Sequence, residues 1–262
     1  MNQYNYEEID IIKTAVNPFY RIMKIHLYLI DGLLIDTGPR IRKFNLIRAF
    51  RSKDIRQVAV THSHDDHAGM AHWISEHFSA DIYCHEKALP SLNKSALSPW
   101  YRRLFSSRHI NINVKSYPDI IRTPEHEFLP IATPGHTSNH VCLLEPDKGW
   151  LFSGDLYITP YPKVFLKHES INDYIESLNK LMSYNFDILF CAHEGVIHDG
   201  KEMLKRKLDY LLNIRRDVTE LHQAGFTDRE IKKRLFPDKV RLELMSFGLF
   251  SRLNMIRSCY RE

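Results

Sequence analysis

The chemistry-bearing string of this sequence is VAVTHSHDDHAG, an H-x-H-x-D-H pattern that brings His62, His64, Asp66 and His67 within six residues. Imidazole nitrogens and carboxylate oxygens are the donors that hold divalent ions. On an extended segment residues two apart face the same way, so His62 and His64 can grip one ion, while Asp66 and His67 enter the next turn and can face a second. Further candidates follow other apolar runs: LPIA leads into TPGHTSNH and His136, GWLFSG into Asp155, and DILFCA into His193. Any one of these could be a solvated or capping side chain. Seven of them at four strand ends argue for a metal centre. With no cysteine in the set, zinc suits it, and manganese or iron remain compatible.

The positioning elements are legible as periodicity. IDIIKTAV, KIHLYLI and LLIDTG read as strands, with Asp31-Gly32 as a hairpin turn between the last two. IRKFNLIRAF reads as a helix and RQVAV as a short buried strand ending at Thr61. AGMAHWISEHF and SINDYIESLNKLMSY are helical in pattern, while DIYC, EFLPIA, HVCLLE, GWLFSG and DILFCA are strand-like. Strands interleaved with helices predict an α/β architecture whose helices cover the sheets. Residues 86–125, rich in Ser, Pro, Arg and aromatics, read as a substrate-side insertion and a candidate lid. From residue 200 the pattern turns helical, with Thr227 and Glu230 as a capping box and Pro237 closing that helix. The expected division is a catalytic domain over 1–199 and a helical extension over 200–262.

Composition narrows the function classes. The chain has 262 residues, 44% apolar and 26% charged, and a net charge of only +4, which gives no electrostatic case for nucleic acid or anionic membrane. Fifteen histidines are the one excess. Cys84, Cys142, Cys191 and Cys259 are widely spaced, as buried thiols of a reducing compartment would be. No run approaches the roughly 18 apolar residues of a membrane span, and the start lacks the basic flank of a signal peptide. A cytoplasmic location and a small-molecule substrate are expected, with homodimer formation left open.

With its H-x-H-x-D-H motif, the single His, Asp and His at later strand ends, and the words LLIDTG, TPGHT, SGD and AHEG, the sequence resembles the metallo-β-lactamase superfamily from about Ile9 to His198. The resemblance implies a four-layer αββα sandwich with a dinuclear centre at one edge. By that likeness His62, His64 and His136 hold one metal, Asp66, His67 and His193 the other, and Asp155 bridges them. Two ions some 3.5 to 4 Å apart can lower the pKa of a shared water from near 16 to around 7. The expected activity is hydrolysis of a small ester, lactone or thioester by the metal-bound hydroxide, with Asp66 taking and returning the proton.

Other readings stay open: a phosphodiesterase or nuclease, a mono-iron persulfide dioxygenase-like enzyme, or a scaffold without metal. SPWYRRLFSSRH has some flavour of a nucleic-acid track. Gly195 stands where glyoxalase II carries a tyrosine, which weakens that assignment. His140 is expected to orient a neighbour by a hydrogen bond; Asp36 resembles a family position that supports the site from a turn, with a plain turn aspartate as the other reading, and Tyr157 is expected to pack, with reach toward a substrate oxygen as the alternative. His72 and His77 sit on the helix expected after the motif, His85 follows a strand end as a lesser candidate for the pocket lining, and His26, His109, His126, His168, His198 and His222 show no local pattern.

Overall fold

Asp31 and Gly32 both take positive φ, 44° and 84°, and close the antiparallel hairpin in which Ile30 faces Leu33. That geometry is the one a two-residue turn needs to match the twist of its strands. The computed structural model describes residues 1–16, 23–94 and 114–260. One sheet has seven strands in chain order: β1 (Asn2–Tyr6), β2 (Ile9–Ala15), β3 (Lys24–Ile30), β4 (Leu33–Ile35), β5 (Gln57–Ala59), β6 (Asp81–Cys84) and β7 (Val114–Ser116). Pairing is antiparallel up to β4 and parallel from β4 to β7. The second sheet has six: β8 (Ile121–Arg122), β9 (Glu127–Ala132), β10 (Val141–Glu145), β11 (Trp150–Gly154), β12 (Ile188–Cys191) and β13 (Gly195–Ile197).

Alternation along these strands sorts the side chains into three apolar layers. Ile9, Ile11, Tyr28, Ile30, Leu33 and Ile35 meet Phe128, Val141, Leu143, Trp150, Phe152 and Phe190 between the sheets. Their neighbours point outward: Ile25, Leu27, Leu29 and Leu34 pack under helices Lys43–Phe50 and Ala71–Phe78. Cys142, Leu144, Leu151 and Leu189 pack under helix Ile171–Met182 and the C-terminal helices. Strands covered on both faces must be apolar at consecutive positions, which is why KIHLYLI and HVCLLE read as runs. The result is the four-layer αββα sandwich. Phe152 stacks on Phe190 with centroids 4.6 Å apart, and truncating either ring would cost about 3–5 kcal/mol.

The C-terminal helices Gly200–Gln223, Asp228–Leu235 and Arg252–Ser258 contribute Leu204, Leu208, Leu211, Ile214, Val218, Ile231, Met255 and Ile256 to the same cluster as Leu151 and Leu189. Thr227 and Glu230 form the expected capping box. Four strands were not visible as patterns. β1 is exposed along most of its length, and β7, β8 and β13 have three residues or fewer. Within the span 86–125, Leu89–Lys94 is helical, while β7 and β8 are strands of the two sheets. Residues 95–113 of that candidate lid lie outside the described residues. All four cysteines are buried and unpaired, and no helix among the described residues is long and apolar enough to cross a membrane.

Candidate metal centre

Parallel strands β4 and β5 bring Asp36 and Thr61 side by side at the edge of the first sheet. Asp36, at φ 60°, accepts hydrogen bonds from the Thr61 backbone N at 2.8 Å and from its hydroxyl, and receives His67 Nδ1 at 2.7 Å. Thr37 fixes the same turn, its N and Oγ1 both bonding to the His67 carbonyl. His64 ends the extended stretch and the short helix Asp65–Ala68 begins, so the motif changes direction between its second and third members. Gly69 is required there, because a Cβ would stand 2.3 Å from the Asp65 carbonyl.

The other three candidates come from the second sheet: His136 follows β9, Asp155 follows β11 and His193 follows β12. A register shift at the end of β11 turns the chain, and Gly154, at φ 48°, leaves room for His140, whose Nε2 accepts the Asp155 backbone N–H at 3.1 Å. His140 Nδ1 pairs with Thr133 Oγ1 at 2.9 Å. It therefore holds the Asp155 turn, as the sequence suggested.

All seven candidates converge in two groups. His62, His64, His136 and Asp155 place one donor atom each within 4.8 Å of one another, and Asp66, His67 and His193 do the same. Asp155 faces both: its Oδ2 lies 3.4 Å from His136 Nε2 and 4.0 Å from His62 Nε2, and its Oδ1 lies 3.3 Å from His67 Nε2 and 3.1 Å from His193 Nε2. His64 Nδ1 is 3.0 Å from the Nε2 atoms of both His62 and His136. Asp66 Oδ2 is 3.8 Å from His67 and 3.7 Å from His193.

Electrostatics separate the groups. Burial holds His62 well below the ordinary histidine range and brings His64 down to about 4, so both rings carry free lone pairs near neutral pH. Burial opposes charge on His67 too, but Asp155, Asp36 and Asp66 outweigh it and hold the imidazolium well above that range. His193 is raised in the same way by Asp155. Asp155 is buried, yet His193 and His67 keep its carboxyl well below the usual carboxylate range.

Three nearby groups carried no sequence signal. Glu169 Oε1 meets His136 Nδ1 at 2.8 Å. The exposed His168 ring lies 5.7 Å from that of His64 and 6.4 Å from that of His136, at the mouth of the site. Lys207, on the C-terminal helix, is buried and donates to the Leu156 carbonyl at 2.5 Å. Other histidines have separate partners: His126 pairs with Glu145, His72 with Glu76, and His222 stacks on Tyr260.

A two-sheet sandwich with two His/Asp groups at the strand ends of one edge defines a class. Residues 25–193 match the metallo-beta-lactamase superfamily, and the chain belongs to it. Among its relatives, the probable metallo-hydrolase YqjP of Bacillus subtilis is 24% identical, with 90% of this chain and 88% of YqjP covered. The probable metallo-hydrolase YflN of the same organism is 32% identical over 64% of this chain and 70% of its own. The solved metallo-beta-lactamase family protein TTHA1429 of Thermus thermophilus superposes with a TM-score of 0.68 at 18% identity, covering 97% of this chain and 91% of that one.

Proposed function

We propose that this protein is a metal-dependent hydrolase that binds two divalent ions, zinc before manganese or iron, and cleaves a small ester, lactone or thioester. One observation carries the reading: the two oxygens of buried Asp155 are directed at separate histidine sets. The cluster suits ions on its own terms. His67 Nε2 and Asp155 Oδ1 are buried without a hydrogen-bond partner although 3.3 Å apart, and unsatisfied buried polar atoms are costly unless something fills the gap between them. The donors are nitrogens and carboxylates with no thiolate, as borderline divalent ions prefer. His62, His64 and His136 would hold one ion, Asp66, His67 and His193 the other, and Asp155 both.

Bound there, the ions would acidify water and polarise a carbonyl. The chain's own residues supply the rest. Asp66 is the least buried member of the second group, its side chain 18% exposed, and can take a proton from attacking water and return it to the leaving group. Asp36 orients His67 from behind. His168 offers a hydrogen bond to a substrate oxygen at the mouth. A net charge of +4 supports a small substrate over nucleic acid.

The test is metal analysis of the purified protein beside a panel of p-nitrophenyl esters, homoserine lactones, S-lactoylglutathione, bis-p-nitrophenyl phosphate and nitrocefin, with wild type and Asp66→Ala. Two ions per chain and acyl hydrolysis that falls about 10²–10⁴-fold in the variant are expected. Full activity in Asp66→Ala, or no ion bound after reconstitution, would overturn the reading.

A further inference from the structure

His136 is the one member of the first group whose far nitrogen faces a carboxylate. Its Nδ1 lies 2.8 Å from Glu169 Oε1, while its Nε2 faces inward, 3.0 Å from His64 Nδ1 and 3.4 Å from Asp155 Oδ2. A carboxylate only accepts, so the contact calls for the proton on Nδ1, and in the neutral ring that makes Nε2 the free acceptor. Glu169 is itself immobilised. Oε1 also accepts the Tyr174 hydroxyl at 2.8 Å, and Oε2 accepts the Leu166 backbone N at 2.5 Å. The next residue ties this turn to the histidine loop, since Ser170 N bonds to the Gly135 carbonyl at 3.0 Å and Ser170 Oγ caps the helix at Asp173. Gly135 packs so tightly on Tyr174 that a Cβ would lie 2.7 Å from its ring. Behind the ring stands the buried ammonium of Lys207, 4.2 Å from its centroid.

We infer that Glu169 is the positioning residue of the first histidine group: through its contact with Nδ1 it fixes the tautomer and aim of His136, so that Nε2 is presented to an ion. The inference rests on the metal reading above for its consequence, though the Glu169–His136 contact is independent of it. The chain Lys207, Tyr174, Glu169, His136 then runs from the C-terminal helix to the site. Lys207 has the Glu169 carboxylate among the groups that favour its charge, against a burial that brings its pKa down to about 8. A compensating cation makes the buried carboxylate tolerable without standing between it and the imidazole.

Two measurements on the full chain test this. Nitrogen-15 NMR of histidine side chains in the metal-free protein should show His136 protonated at Nδ1 alone. In Glu169→Gln, which keeps shape but removes the charge and can turn its amide NH₂ toward the ring, that preference should weaken. Zinc titration against a chromophoric chelator should show one of two ions held about 10–100-fold more weakly in Glu169→Ala, with the other unchanged and Glu169→Gln intermediate. A His136 carrying its proton on Nε2 in wild type, or a folded Glu169→Ala that binds both zinc ions at wild-type affinity, overturns the inference. Should Glu169→Ala fail to fold, Glu169→Gln and the wild-type tautomer decide the matter. Should wild type bind no zinc, the proposed function falls, while the tautomer measurement still judges Glu169.

Discussion

The two histidine groups are built from similar parts and shift their imidazoles in opposite directions. The first has three imidazoles around one oxygen of Asp155, with burial keeping His62 and His64 neutral. The second sets two imidazoles among Asp66, Asp36 and the other oxygen of Asp155, so His67 and His193 hold protons more tightly than free histidine does. A cation arriving at the first group meets lone pairs already bare. At the second it must displace protons, because a ligating imidazole must be neutral. One carboxylate thus joins a site shaped by desolvation to a site shaped by opposite charge.

The largest effect that could break this comparison is removal of the shared group. Asp155→Ala should abolish measurable hydrolysis and weaken both ions together, read by metal analysis; loss of one ion alone would show that the two groups do not share it. Asp36→Asn is narrower. It keeps a residue that tolerates positive φ but takes the anion from behind His67, and should weaken one ion about 10–100-fold, leaving the other as it was in a chelator competition.

Acidity separates the groups without mutation. His64 has its folded pKa lowered from 6.5 to about 4, so between those values the unfolded chain binds more protons. The stability of the metal-free protein should therefore fall as pH drops through that window, by up to about 3 kcal/mol from this residue, with His26, also lowered to about 4 by burial, falling alongside. His67 and His193 have raised values, so their contribution is present in acid and is lost as pH rises through those values. Urea unfolding of metal-free protein across pH 4 to 9 checks both limbs; a flat acid limb in wild type would remove the desolvation argument. The smallest expected change is His168→Ala, a few-fold rise in KM with kcat and metal content nearly unchanged, since its ring stands at the mouth of the first group only.

What the sequence made legible was local. His62, His64, Asp66 and His67 stand in one motif, and His136, Asp155 and His193 each follow an apolar run, so spacing and strand ends sufficed to collect them. Glu169 meets His136 across 33 residues and Lys207 meets Leu156 across 51, with no periodicity to announce either contact. His168 lacked a pattern because its place comes from the turn after Leu166 rather than from a strand end. The fold followed the same rule. Doubly covered strands such as β3 and β10 showed themselves as apolar runs, whereas β1 pairs with β2 through backbone bonds while exposing its side chains, which leaves composition nothing to record. The helices from residue 200 were visible, but their sharing of a core with Leu151 and Leu189 depends on which face of the second sheet they meet.

The bond from Lys207 to the Leu156 carbonyl also has a bearing on the order of synthesis. Chains emerge from the ribosome N-terminus first, so every proposed site residue is made before the ammonium that satisfies a carbonyl next to Asp155. A nascent chain, or a fragment ending at residue 199, would carry all seven donors above a sheet whose outer apolar face is covered only in part, by helix Ile171–Met182, and the apolar surface left open invites association. For this protein the last quarter of the chain completes the apolar cover over the sheet that carries His136, Asp155 and His193.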